Sequence, residues 1–131
     1  MSIDRLEAVY MINVNLGEKG LLFARIIWKN EPLTSKKLTE ICQKELEWKR
    51  TTTYTMLKNL CDKGICENKD GIVSSLISEE ELGAIKGDEV IEENFGGSLP
   101  RFLTAFTGRN KLSKKDIEEI QNLIDNYEEE E

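Results

Sequence analysis

Asp70-Gly71, set between the β-capable runs Ile65-Cys66-Glu67-Asn68 and Ile72-Val73-Ser74-Ser75-Leu76-Ile77, constrains this chain more than any other feature. Asp-Gly readily adopts the two positive-φ positions of a tight hairpin turn, so the pair predicts two short antiparallel strands. Ahead of the hairpin lie three stretches with helical spacing. From Gly17 onward, Leu21, Leu22, Arg25, Ile26 and Trp28 recur at three- and four-residue intervals. Asn30-Glu31-Pro32 ends this first helix, because the residue before a proline avoids the α region. Thr34 or Ser35 offers an N-cap hydroxyl, and Leu38, Ile41, Cys42 and Leu46 carry a second helix to about Glu45. After a short linker containing Trp48, a third helix starts near Thr51 and ends at Gly64, a C′ glycine. Its inner stripe is Thr53, Met56, Leu57, Leu60 and Cys61; its outer face shows Thr51, Thr52, Tyr54, Thr55, Lys58, Asn59 and Asp62. Three short helices followed by a hairpin describe a winged helix-turn-helix.

Beyond the hairpin the pattern is helical again. Ser78-Glu79-Glu80-Glu81 is a capping box. The helix behind it includes Leu82, Ile85, Val90, Ile91 and Phe95, with Gly83 and Gly87 weakening it by about 1 kcal/mol each against Ala. Gly96-Gly97 breaks the chain. Ser98 caps the next helix, with Pro100 in its first turn and Leu99, Phe102, Leu103 and Phe106 on one face. Ser113-Lys114-Lys115-Asp116 opens a last helix whose stripe is Ile117, Ile120, Leu123, Ile124 and Tyr127. The expected fold is therefore mainly α with a small β-hairpin: a winged-helix domain over 1–77 and a helical segment over 78–131. Within the first, residues 1–15 form an arm that fits either a strand or a helix; the second closes on the acidic tail Glu128 to Glu131. An appendage of about 50 residues buries little by itself. Its apolar stripes therefore predict a seam with a second copy, a homodimer.

Charge narrows the function. The 131 residues carry a formal −7, unevenly spread. Residues 18–71 hold 11 Lys/Arg against 8 Asp/Glu, whereas residues 72–131 hold 6 against 15. A mildly basic first half and an acidic second half point to two separate jobs. With no His in the chain, imidazole-dependent triads and most hydrolytic zinc sites are excluded. Neither a nucleophile–base pair nor a Gly-rich phosphate loop is present, so the chain is read as a non-enzyme without cofactor or metal. The three cysteines, Cys42, Cys61 and Cys66, form no CxxC pair, and an odd count argues against a disulfide framework. No apolar run approaches the roughly 20 residues of a membrane span, and the N-terminus lacks signal-peptide grammar. The expectation is a cytoplasmic protein without direct membrane binding.

The third helix carries the binding chemistry. Thr51, Thr52 and Thr55 are small and hydroxylic, suited to meeting several base edges and thymine methyls. Lys49 and Arg50, just before it, are suited to anchoring phosphates, Tyr54 to stacking or donating to a phosphate, and Lys58 lies on the same outer face. Lys69, beside Glu67 and Asp70, is the wing's one cation, so little affinity is expected from the wing. The weakly basic character keeps an alternative open, a winged-helix adaptor that binds protein and does not read DNA. A redox-responsive repressor using Cys61 or Cys66 is a third reading, although such sensing favours a tighter cluster or a low-pKa setting.

Four stretches resemble the BlaI/MecI/CopY family of bacterial repressors, the penicillinase-repressor family. Leu16 to Trp28 is similar to its first helix, ending in Ile-Trp, and Pro32-Leu33-Thr34-Ser35-Lys36 to the turn into its second. Trp48-Lys49-Arg50-Thr51-Thr52-Thr53-Tyr54-Thr55-Met56-Leu57-Lys58-Asn59-Leu60 through Gly64 resembles its recognition helix, the most specific of the four. Gly96-Gly97-Ser98-Leu99, Lys111-Leu112-Ser113 and the Ile117 helix resemble its dimerisation segment. The resemblance spans about residues 16–127. It implies a winged helix on a palindromic operator, a dimerising C-terminal segment, and an upstream membrane-bound, zinc-protease-like sensor that triggers cleavage of the repressor. On this resemblance Thr51, Thr52 and Thr55 meet bases, while Lys49, Arg50 and Lys58 meet phosphate.

The chain departs from the family at several points. Asn59 and Asp62 stand where basic residues are common, and the wing is shorter, without an aromatic-rich return strand. Ala105-Phe106 replaces the Asn-Phe cleavage bond of the drug-resistance members. The copper branch uses a C-terminal cysteine cluster, where this chain has Glu128 to Glu131.

Overall fold

The computed structural model describes residues 12–128; most of the expected arm and of the acidic tail lies outside the described residues. Contacts divide the chain into two units, one ending at Gly87 and the other beginning at Asp88. The first holds α1 (Gly17–Asn30), β1 (Leu33–Thr34), α2 (Ser35–Leu46), α3 (Arg50–Asp62), β2 (Cys66–Lys69) and β3 (Ile72–Ser75). It also takes the first turns of α4 (Glu79–Phe95). The second unit holds the rest of α4 with α5 (Leu99–Arg109) and α6 (Lys114–Asp125).

The hairpin turns as its sequence dictates. Asp70 at φ +53° and Gly71 at φ +84° supply the two left-handed positions. Antiparallel pairing runs from Lys69 opposite Ile72 to Cys66 opposite Ser75. A third strand joins it: β1 pairs with β3, Leu33 opposite Val73, giving the order β1-β3-β2. The expected two-stranded hairpin is thus a three-stranded sheet. Leu33 and Thr34 are too few to show strand alternation in the sequence. The Gly71 carbonyl accepts from the Ser35 amide at 2.8 Å, fastening the turn to the start of α2.

The core lies between the helices and this sheet. Phe23, Ile27, Leu38, Leu60, Ile65, Val73 and Leu82 are fully buried within it. The inward face of α1 is Gly20, Phe23, Ala24, Ile26 and Ile27, whereas Leu22, part of the expected stripe, is 42% exposed. Apolar residues surround most of α1, so spacing alone fits more than one face, and packing against α3 and the sheet selects Phe23 and Ile27. Two polar contacts fix the end of α1. The Trp28 indole N–H donates to the Ile77 carbonyl at 2.9 Å. The Glu31 carboxylate accepts from the Ser75 amide at 2.9 Å and its hydroxyl at 2.8 Å. Leu82 reaches the same core, 2% exposed, so the winged helix's contacts continue past the expected 77/78 boundary to Gly87.

Four helices begin on the hydroxyl caps expected of them. Thr34, Ser78, Ser98 and Ser113 accept from the amides of Lys37, Glu81, Arg101 and Asp116 at 3.0–3.2 Å. α4 runs unbroken through Gly83 and Gly87 and stops where Gly96 and Gly97 take positive φ. In the second unit Phe102 packs edge-on against Phe95 at 5.5 Å and tilts toward Phe106 at 5.8 Å. Neither α5 nor α6 buries a single residue. Among the described residues no helix is long and apolar enough to cross a membrane.

Candidate nucleic-acid interface

α2 and α3 are joined by a turn of three residues whose geometry is locally determined. Glu47 takes the left-handed conformation, φ +57° and ψ +31°, and its amide closes on Gln43 at 3.1 Å. The Trp48 amide then reaches back to the Cys42 carbonyl at 3.3 Å. The Trp48 ring stacks on Phe23, centroids 5.7 Å apart and planes 25° from parallel. The turn is therefore anchored to the centre of the core. Thr53 is 1% exposed, with its hydroxyl toward the Lys49 carbonyl and beside the Cys42 thiol. Burial pushes that thiol above its ordinary range, and the Thr53 hydroxyl opposes the shift in part. Cys42 acts here as a small apolar residue pinning α2 to α3.

With Thr53, Leu57 and Leu60 buried, α3 turns the opposite face outward. Thr51, Thr52, Tyr54, Thr55, Lys58, Asn59 and Asp62 are all exposed, as are Lys49 and Arg50 at its start. The half-buried Met56 and Cys61 border the inner stripe. The N-terminus of α3 differs from those of α2 and α4 to α6 in having no capping bond: Lys49 stands at its N-cap. Its first turn holds no acid. Its leading amides are left without side-chain partners, and Lys49 and Arg50 add positive charge at the positive end of the helix dipole. That arrangement costs the free protein stability and favours an incoming anion. The absence of a capping residue at Trp48-Lys49-Arg50 was visible in the sequence, but its meaning depends on the helix beginning exactly there.

Among the described residues Lys49, Arg50 and Lys58 form no ion pair. Lys69, by contrast, sits 3.7 Å from Glu67 on the same wing strand, which offsets its charge. Lys36 and Lys37, not singled out from sequence, stand exposed on the first turn of α2, with Lys37 3.8 Å from Glu40. Their signal, two cations directly behind a Thr-Ser cap, was available in the sequence. No group of three or more metal-ligating side chains occurs among the described residues.

The residues expected at a dimer seam lie in the second unit, exposed or half-buried. Leu99 is 53% exposed, Phe106 41%, Ile117 52%, Leu123 71%, Ile124 61% and Tyr127 72%, while Phe102, Leu103 and Ile120 are intermediate.

Comparison with known proteins agrees with this architecture. The chain is 24% identical over 106 residues to the methicillin resistance regulatory protein MecI of Staphylococcus aureus, covering 78% of this chain and 86% of that protein. It is 24% identical over 103 residues to MecI of Mammaliicoccus sciuri, covering 76% and 84%. The penicillinase repressor family profile matches residues 16–126, nearly the whole described chain. With a winged helix followed by a helical segment along that match, the chain belongs to the penicillinase repressor family, a family of transcriptional repressors.

Proposed function

We propose that this protein represses transcription as a cytoplasmic homodimer on a palindromic operator, with α3 of each copy in the major groove of one half-site. The observation that carries the reading is the start of α3: uncapped amides, two cations that form no ion pair among the described residues, and the exposed Thr51, Thr52 and Thr55. In this reading the first amides of α3, with Lys49, Arg50 and Lys58, hold phosphates and set the register. Thr51, Thr52 and Thr55 meet base edges, their hydroxyls donating or accepting and their methyls touching thymine methyls. Tyr54 stands beside them at the groove edge. The wing adds little, because Lys69 is already paired with Glu67.

A dimer follows from both ends of the problem. Two-fold operators require two readers, and among the described residues the apolar stripes of α5 and α6 contain no fully buried side chain. Coupling two half-site contacts raises affinity through effective concentration, so anything that separates the copies releases the operator. A membrane-bound sensor protease acting upstream would achieve this by cutting the second unit.

The test is electrostatic. A Lys49→Ala, Arg50→Ala double variant is expected to weaken binding to all duplexes by a similar factor. Its log-affinity slope against log salt is expected to flatten by about 1.8 per half-site, the value for two lost phosphate contacts. An unchanged slope would remove these residues from the interface.

A further inference from the structure

Cys61 and Cys66 flank the end of α3, and the sulfur atoms lie 3.6 Å apart. They come together because α3 stops at Asp62 and Gly64 turns at φ +80°, delivering Cys66 into β2 beside the last helical turn. Both line an open groove of about 520 Å³ shared with Tyr54, Lys58 and Glu67, so a small reagent can approach from solvent. Cys61 is half-buried and Cys66 only 2% exposed. Cys42, fully buried in the core, has no part in the groove.

We propose that Cys61 and Cys66 are a dithiol sensor, closing to an intrachain disulfide that lowers operator affinity. The affinity half of this proposal rests on the repressor reading; the bond itself does not.

With hydrogen peroxide as oxidant, the accessible Cys61 thiolate attacks the peroxide, the O–O bond breaks, and Cys61 becomes a sulfenic acid as hydroxide departs. The Cys66 sulfur then attacks that sulfenic sulfur, and its proton leaves with the displaced hydroxide as water. Two thiols and one peroxide give one disulfide and two waters. Burial and the neighbouring sulfur push the Cys66 thiol well above its ordinary range, which assigns the first attack to Cys61.

Bond formation requires the sulfurs to close to about 2.05 Å. Cys66 is the fixed side. It is paired with Ser75 in the sheet, and its neighbour Ile65 donates to the Leu60 carbonyl at 3.0 Å and accepts from the Leu76 amide at 2.8 Å. The adjustment therefore falls on the last turns of α3. Tyr54, Lys58 and Cys61 follow one another along a single helical stripe, so a pull at Cys61 acts on the exposed face of α3.

The experiment uses the full chain, purified reduced and then treated with hydrogen peroxide. Titratable thiols are expected to fall from three to one. Peptide mass analysis should link residues 61 and 66 with loss of two hydrogens, and affinity for a selected operator should fall about tenfold, the loss of one good base contact. Dithiothreitol should restore both. Cys61→Ser, at the less buried position, should keep reduced-state affinity and lose the response; Cys66→Ser should behave alike if it folds. Retention of three thiols, a disulfide found only between copies, a disulfide without change in affinity, or a Cys61→Ser variant that still responds would each overturn the proposal. Reduced protein that binds no duplex overturns the repressor reading and the regulatory half together, while the thiol count still decides the bond.

Discussion

A Leu123→Asp, Ile124→Asp double variant is expected to sediment as a monomer and to bind its operator a hundredfold or more weakly, while the winged helix unfolds at an unchanged temperature. The two side chains are 71% and 61% exposed within their own chain, so replacing them removes little intrachain packing. In a two-copy seam the same change buries four unpaired carboxylates, each costing several kcal/mol. Dissociation then removes the tethering of two half-site contacts, worth about 10²–10⁴ in affinity. The thermal transition of the first unit provides the control, because its core, centred on Phe23, Leu60 and Val73, contains neither residue. A variant that stays dimeric would place the seam elsewhere; a monomer with full affinity would remove the need for a dimer.

Phe23→Ala has the largest expected effect on stability, a loss of about 4 kcal/mol in urea unfolding. Phe23 is fully buried at the meeting point of α1, α2 and α3, and truncating such a phenylalanine costs roughly 3–5 kcal/mol. It also loses the stacked Trp48 ring, adding to the cost, since aromatic pairs contribute about 1 kcal/mol beyond their area. The loss is a large part of the roughly 5–15 kcal/mol that holds a small domain folded. Because Trp48 anchors the α2–α3 turn, the damage reaches the candidate interface, and weaker DNA binding should accompany the lower stability. Leu22→Ala, one residue away and 42% exposed, should cost under about 1 kcal/mol. If Leu22→Ala costs as much as Phe23→Ala, the inward face of α1 has been assigned wrongly.

That pair of residues also marks how far the fold was legible in the sequence. Helix order, the Asp70-Gly71 turn and the caps at Thr34, Ser78, Ser98 and Ser113 follow from short-range chemistry and hold in the structure. Features that depend on distant partners were not legible. Leu21, Leu22, Phe23, Ile26, Ile27 and Trp28 leave the choice of inward face to α3 and the sheet, and β1 exists only because Leu33 finds Val73. The outward character of Thr51, Thr52, Tyr54, Thr55 and Lys58 could be read from the α3 period. The anchoring of the turn by the Phe23–Trp48 stack could not, because the two rings are far apart in sequence. The Cys61–Cys66 approach is intermediate: five residues and a glycine turn make it possible, but β2 pairing with β3 makes it real.

In the proposed function α3 reads a two-fold-symmetric DNA site. The most direct measurement selects binding sites from a random duplex library at low salt, then retests them across a salt series with wild type and Thr52→Ala. The expected result is an inverted repeat with half-sites about one helical turn apart, affinity that falls steeply with salt, and a loss of preference within each half-site for Thr52→Ala. Binding without sequence preference, or preference unchanged by Thr52→Ala, would contradict it.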